Sequence, residues 1–306
     1  MKKLFNILIF FIIIFLILKN SIEIIESIKF SFNICVNNLF PCLIPFMIIS
    51  NILINYNFVQ DISDILSNIT TKIFKVNKSC AFALIMSMIS GTPSNSKYLK
   101  DLFNNGLINE YDISKCLCFC HFTNPIFILG TIGYSFLGNK RIGLIILISH
   151  YLGNFISGIL NRNKKYKIIN LEHKSNLNKK VFINVLNESI KSTIDTLLLI
   201  MGIITSCLII TGLINSIFKI NNDYKFIFGI LEITQGLKYL SLSNINITLK
   251  IVISTFFITF GGFCIHLQIF SILDNNKIRY LPYFINRIFT GILSSFISLI
   301  LFKLFL

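Results

Sequence analysis

The chain has 306 residues, of which 54% are hydrophobic and only 13% charged, with a mean hydropathy of +0.75. Soluble domains carry roughly 25% charged residues, so this composition belongs to a protein of the lipid bilayer. The formal charge of +15 does not indicate nucleic-acid binding, because most basic residues flank apolar runs, as the positive-inside rule requires.

In chain order, Met1-Lys2-Lys3 precedes the apolar run Leu4 to Leu18, with only Lys19-Asn20 where a signal peptide would carry small residues. An uncleaved first transmembrane helix over residues 1–25 is the expectation, its N-terminus in the cytoplasm. Residues 21–33 mix Glu23, Glu26 and Lys29 with isoleucines and read as an interfacial stretch. Residues 34–56 are long enough to span and, with Pro41 and Pro45, are expected to be kinked or to start late. Residues 58–76 place Asp61, Asp64 and Lys72 opposite an isoleucine face, the pattern of a surface helix.

The apolar run 80–89 then meets Ser90-Gly91-Thr92-Pro93-Ser94-Asn95-Ser96-Lys97. Gly91 and Pro93 oppose helix continuation, and Ser94 and Asn95 favour the start of a new helix. Run 80–89 is too short to cross and residues 97–102 are too charged to lie in lipid, so a re-entrant hairpin is predicted. Backbone groups freed at membrane depth must be buried in protein or face a wet cavity. A second break falls at Thr123-Asn124-Pro125, inside the apolar stretch 115–136. Residues 143–160 form another span, and 161–187 form the most basic loop, assigned to the cytoplasm.

After that loop the pattern returns. Glu26-Ser27-Ile28-Lys29 recurs as Glu188-Ser189-Ile190-Lys191, and Lys97-Tyr98-Leu99 as Lys238-Tyr239-Leu240 after Glu232-Ile233-Thr234-Gln235-Gly236. Thr123-Asn124-Pro125 faces Phe260-Gly261-Gly262, and His150 to Asn154 faces Tyr283 to Arg287. Four matches in one order indicate an internal repeat, units 26–160 and 188–306. Three crossings per unit make the second run inverted, and this topology puts most Lys and Arg on the cytoplasmic side. The expected fold is all-α and polytopic: two inverted-topology repeats, each with a re-entrant helical hairpin and a broken transmembrane helix.

The motifs Leu43-Ile44-Pro45-Phe46, Ser90-Gly91-Thr92-Pro93 with Lys97, and Thr123-Asn124-Pro125-Ile126-Phe127 with Gly130 resemble the nucleoside-recognition (Gate) domain proteins, most closely the YlbJ-type sporulation integral membrane proteins. His150-Tyr151-Leu152, Phe260-Gly261-Gly262 and His266-Leu267-Gln268 extend the resemblance over residues 25–300. Thr92 and Ser94-Asn95-Ser96 depart from the small or aromatic residues usual around the proline. The resemblance implies a multi-pass bacterial cell-membrane protein of endospore formation, and it implies no established substrate.

Candidate solute-binding residues are Ser90, Thr92, Ser94, Asn95, Ser96 and Asn124 in the first unit, and Glu232, Thr234, Gln235, His266 and Gln268 in the second. Gly91, Pro93, Pro125, Gly236, Gly261 and Gly262 are the expected helix breaks. Two uses of the polar groups stay open: binding a small polar solute with a coupling ion, or capping interrupted backbone. Cys116, Cys118, Cys120 and His121 are spaced C-x-C-x-C-H, which splays the thiols around a helix, so no metal or other cofactor is expected. The eight cysteines read as buried thiols. Hydrolase and P-loop motifs are absent, so no enzymatic activity is expected. Partners reduce to the bilayer and a small solute, with homo-oligomerisation open. A transporter-like protein leads, and a non-transporting scaffold of spore formation is the alternative.

Overall fold

The computed structural model describes residues 2–56, 58–162, 181–274 and 277–305, and the side chains of residues 2–6, 9 and 10 fall outside that description. Thirteen helices are present among the described residues: α1 (Lys2–Lys19), α2 (Ser21–Asn55), α3 (Phe58–Asn68), α4 (Cys80–Ser90), α5 (Ser94–Asn104), α6 (Glu110–Phe119), α7 (Phe127–Phe136), α8 (Lys140–Leu160), α9 (Phe182–Phe218), α10 (Ile233–Leu242), α11 (Ile247–Phe260), α12 (Gly262–Leu273) and α13 (Tyr280–Phe305). Five stretches are long and apolar enough to cross a membrane: α2, α8, α9, the α11–α12 pair and α13. Large apolar side chains point outward along them, such as Leu198, Ile292 and Phe296. In water such surfaces would be costly, whereas against acyl chains they are the expected contact.

Three sequence expectations are corrected. Residues 21–55 do not divide into a separate interfacial piece and a span. They form one 35-residue helix, which starts at Ser21 rather than near residue 26. Pro41 is accommodated because the turns at Cys35–Leu39 are widened, with the Phe40 N–H bonded to the Cys35 carbonyl. That widening takes up the carbonyl displacement a proline ring otherwise forces. The basic loop is shorter than 161–187, since α9 begins at Phe182; its residues 163–180 lie outside the described residues. Gly236 is not a break but lies inside α10. A side chain there would overlap the Gly229 Cα, so its role is the close approach of the two arms of the second hairpin.

The other breaks fall where the glycines and prolines lie. Helix α4 ends at Gly91, whose φ of +84° suits glycine, and α5 starts directly after Pro93. Residues 120–124 separate α6 from α7, and Gly261 (φ +92°) with Gly262 (φ +62°) separates α11 from α12. In the second hairpin the first arm is a tight 3₁₀ segment, Asn222–Ile230.

The element order of the two units repeats: a long helix (α2; α9), a hairpin (α4–α5; Asn222–Ile230 with α10), a broken helix (α6–α7; α11–α12) and a closing helix (α8; α13). Equivalent helices pack together. Helices α2 and α9 meet through Ser31 with Thr205 (Oγ···Oγ1 2.7 Å) and Ser27 with Gly212, while Asn51 and Ile54 share a cavity with Glu188 and Ser192. Rising numbers on one helix match falling numbers on the other, so the pair is antiparallel. Helices α8 and α13 do the same: Gly153 abuts Ser294, and Ser157 receives a hydrogen bond from Asn286 (2.8 Å). Across the units α5 contacts α12 and α10 contacts α7.

At the α6 start, Asn109 and Asp112 form a reciprocal capping box, and Glu110 pairs with Lys277 at 3.1 Å. The lysine hydrogen bond holds the Glu110 carboxyl below its ordinary value. Its contribution is thus present above the unfolded-state value and lost as pH falls through the folded-state one. Because both side chains reach solvent, water screens the pair. Glu110→Gln is expected to leave the Tm at pH 7 and 150 mM salt unchanged, by thermal unfolding in detergent.

Candidate functional site

The four interruptions converge on one cavity of about 50 Å³. Its walls carry Thr92 and Pro93 from the first hairpin, Thr123, Asn124 and Phe127 from the first broken helix, Glu232, Ile233 and Thr234 from the second hairpin, and Cys264, Ile265 and Gln268 from α12. Helix α2 supplies Asn38, Leu39, Cys42 and Leu43, and α9 supplies Ile204. The N-termini of α5, α7, α10 and α12 therefore all face this space.

Backbone hydrogen bonds tie each hairpin tip to the broken helix of its own unit. The Thr92 N–H donates to the Phe122 carbonyl (2.6 Å), and the Cys264 N–H donates to the Leu231 carbonyl (2.8 Å). Asn124 Nδ2 donates to the Ser90 carbonyl (3.2 Å), while its Oδ1 accepts from the Ile126 N–H (2.8 Å) and the Phe127 N–H (3.3 Å). One asparagine thus caps α7 and clamps it to the hairpin. Glu232 does the corresponding work for α10, accepting from the Thr234 N–H (3.1 Å) and the Gln235 N–H (2.7 Å). The Glu232 residue is 3% exposed. Helices α5 and α12 have no side-chain cap.

Of the eleven binding candidates, Thr92, Asn124, Glu232, Thr234 and Gln268 line the cavity. The remaining six are placed elsewhere. Ser94 Oγ donates to the Gly91 carbonyl and Ser96 Oγ to the Pro93 carbonyl (both 2.6 Å), closing the first turn of α5. Ser90 bonds Ser94 and receives the Tyr98 hydroxyl (both 2.8 Å), and Asn95 Nδ2 donates to the Cys120 carbonyl (2.8 Å). Gln235 faces a different cavity, and His266 bonds the Phe260 carbonyl (2.8 Å) and the Tyr280 hydroxyl (3.1 Å). The physical reason is helix phase: hydroxyls at the first turn reach back to their own chain before they reach across a cavity. Thr92 precedes the turn, and its buried Oγ1 has no partner.

Two larger cavities flank the central one. One, of about 470 Å³, lies between α5 and the start of α9, lined by Lys97, Asp101, Glu188, Lys191 and Ser192. The other, of about 270 Å³, lies between α10 and the start of α2, lined by Lys238, Gln235, Glu26 and Ser27, with Thr211 and Gly212 of α9. Lys97 and Lys238 each open a Lys-Tyr-Leu tripeptide, and Glu26 and Glu188 each open a Glu-Ser-Ile-Lys stretch. Between Lys191 and Gly212 α9 rises roughly 30 Å, one hydrocarbon thickness. Ile204, on the central cavity, falls between them.

Arg287 of α13 was not singled out from sequence. It is fully buried, donating to Asn154 Oδ1 (2.9 Å), the Cys118 carbonyl (2.6 Å) and Asn286 Oδ1 (2.8 Å). The Cys118 carbonyl belongs to the last turn of α6, where the helix leaves carbonyls unpaired and partially negative. A lone arginine inside an apolar span was the available signal. His150, its neighbour, accepts from the Thr123 N–H (3.0 Å) and contacts Thr259 Oγ1 (2.9 Å), joining the two broken helices. Among the described residues no group of three or more His, Cys, Asp or Glu could hold a metal ion. Cys80, Cys116 and Cys120 are fully buried free thiols.

Five apolar spans and interrupted helices sealed against one another define a polytopic all-α membrane protein. The chain is similar to the sporulation integral membrane protein YlbJ of Bacillus subtilis (strain 168), with 27% identity over 301 residues, 86% of this chain and 74% of that protein. That similarity supports the YlbJ type and a multi-pass bacterial membrane protein. No family model matches the chain, and no solved structure matches it.

Proposed function

We propose that the protein serves spore formation as a transporter-like membrane protein, binding a small polar or anionic solute between two inverted repeats. The observation that carries this reading is the convergence of four half-helix N-termini on one small cavity. Each N-terminus carries a partial positive charge, and those of α5 and α12 have no side-chain cap, which together favour an anion or a dipole. Asn124, Glu232 and Gln268 orient the solute. At about 50 Å³ the cavity has room for roughly four waters, so an organic solute enters only when one repeat moves against the other.

The antiparallel α2–α9 and α8–α13 pairs support inversion, since equivalent helices of same-direction repeats would run parallel. With the N-terminus cytoplasmic, the flanking cavities become mouths on opposite membrane faces. Ser192→Cys and Ser27→Cys, one in each mouth, are expected to react with an impermeant maleimide from opposite sides of the membrane. Labelling from the same side would refute inversion.

A non-transporting scaffold accounts for the capping by Ser94 and Ser96 but leaves the unpartnered Thr92 hydroxyl without a role. The deciding experiment is solute uptake by proteoliposomes from a panel of nucleosides, amino acids and small anions. Transport is expected for wild type and a loss of about tenfold or more for Asn124→Ala and Glu232→Ala. No uptake by wild type, with both variants restoring sporulation to a deletion strain, would leave the scaffold.

A further inference from the structure

The central cavity sets an anion-favouring environment beside a resident negative charge. Glu232 sits on its wall with no Lys, Arg or His among the lining residues. The titratable groups around the carboxylate are thiols: Cys35 and Cys42 of α2, Cys207 of α9 and Cys264 of α12. The first hairpin and first broken helix contribute Thr92, Thr123 and Asn124, none charged. On α10 the next cation is Lys238, which is exposed and lies 4.9 Å from the centre of the Phe30 ring in the flanking cavity. Among the described residues that line the cavity, helix N-termini therefore supply the positive potential at the carboxylate. An entering anion would share that potential with Glu232 at close range, in a medium that screens poorly.

We propose that Glu232 binds one proton for each solute anion that enters, making the protein a proton–anion symporter. This rests on the anion-binding reading above. The carboxylate takes up a proton from the bulk solution, its new O–H donates towards the anion, and the other oxygen keeps its hydrogen bond from one α10 N–H. On release the proton and the anion leave together, so a monoanion crosses without net charge movement. Two further observations point the same way. The Thr92 hydroxyl, 8% exposed and unpartnered, lines the same small cavity and is free to donate to the anion. Gln235 lies between Glu232 and the flanking cavity: its backbone N–H binds the carboxylate, and its side chain, with Oε1 unpartnered, lines the 270 Å³ cavity beside Glu23 and Glu26.

The test uses anions that stay ionised throughout: sulfate, methanesulfonate and benzenesulfonate. Binding to the purified full chain is followed by thermal shift from pH 5.5 to 8, and uptake by pyranine-loaded proteoliposomes. Apparent affinity is expected to fall about tenfold per pH unit above the Glu232 midpoint, and uptake to acidify the lumen. Glu232→Gln is expected to bind as tightly as wild type at low pH, with no pH dependence. Affinity flat with pH in wild type overturns the coupling while leaving anion binding intact. A Glu232→Gln protein that folds with unchanged Tm but does not bind also overturns the coupling. If none of the anions binds wild type at any pH, the coupling and the anion reading both fall. Should Glu232→Gln not fold, the wild-type pH profile alone decides.

Discussion

Arg287→Ala should abolish the folded state or lower stability by about 3–5 kcal/mol, the usual cost of breaking a buried charged network. Truncation strands Asn154 Oδ1, Asn286 Oδ1 and the Cys118 carbonyl, all buried where no water replaces the donor. It also removes the positive charge that faces the C-terminal end of α6. Arg287→Lys should recover less than half of the loss, because a single ammonium cannot reproduce the planar fork that reaches three acceptors. Thermal unfolding and size-exclusion behaviour in detergent measure both variants. A lysine variant of wild-type Tm would show that charge alone, without the fork, holds α6, α8 and α13 together.

Gly91→Ala should be nearly as damaging, at about 3 kcal/mol or more. A methyl there collides with the backbone of Asn124, and the φ of +84° adds strain for any residue with a Cβ. The first hairpin would have to withdraw from the broken helix, opening the Thr92 to Phe122 backbone bond and the Asn124 clamp. Loss of Asn124 placement should cost binding even in molecules that stay folded. Gly106→Ala, where a Cβ meets nothing within 4 Å although φ is also positive at +68°, isolates the backbone strain from the collision. Gly91→Ala should lower the Tm more than Gly106→Ala, and equal shifts would refute the close contact.

The positions of the interruptions were legible because glycine and proline act on their own backbone. Gly91, Pro93, Pro125 and Gly261 needed no partner to be read. The order of elements was legible too, through apolar runs separated by those interruptions. Which polar residue at a tip remains available was not legible. Ser94 and Thr92 are both hydroxyl residues two positions apart, yet one closes a turn while the other is left at the cavity wall. Arg287 could be seen only as a charge among apolar residues, since two of its partners lie 133 and 169 positions away in sequence.

By itself the sequence determined the bilayer as solvent, the order of the helices and the places where they stop, since composition, hydrophobic length and backbone restriction act locally. Only the tertiary structure decided that α2 lies antiparallel to α9, that α8 lies antiparallel to α13, and that four broken ends share one cavity. Those outcomes depend on side chains more than a hundred residues apart meeting in space, and no local preference of the chain encodes such a meeting.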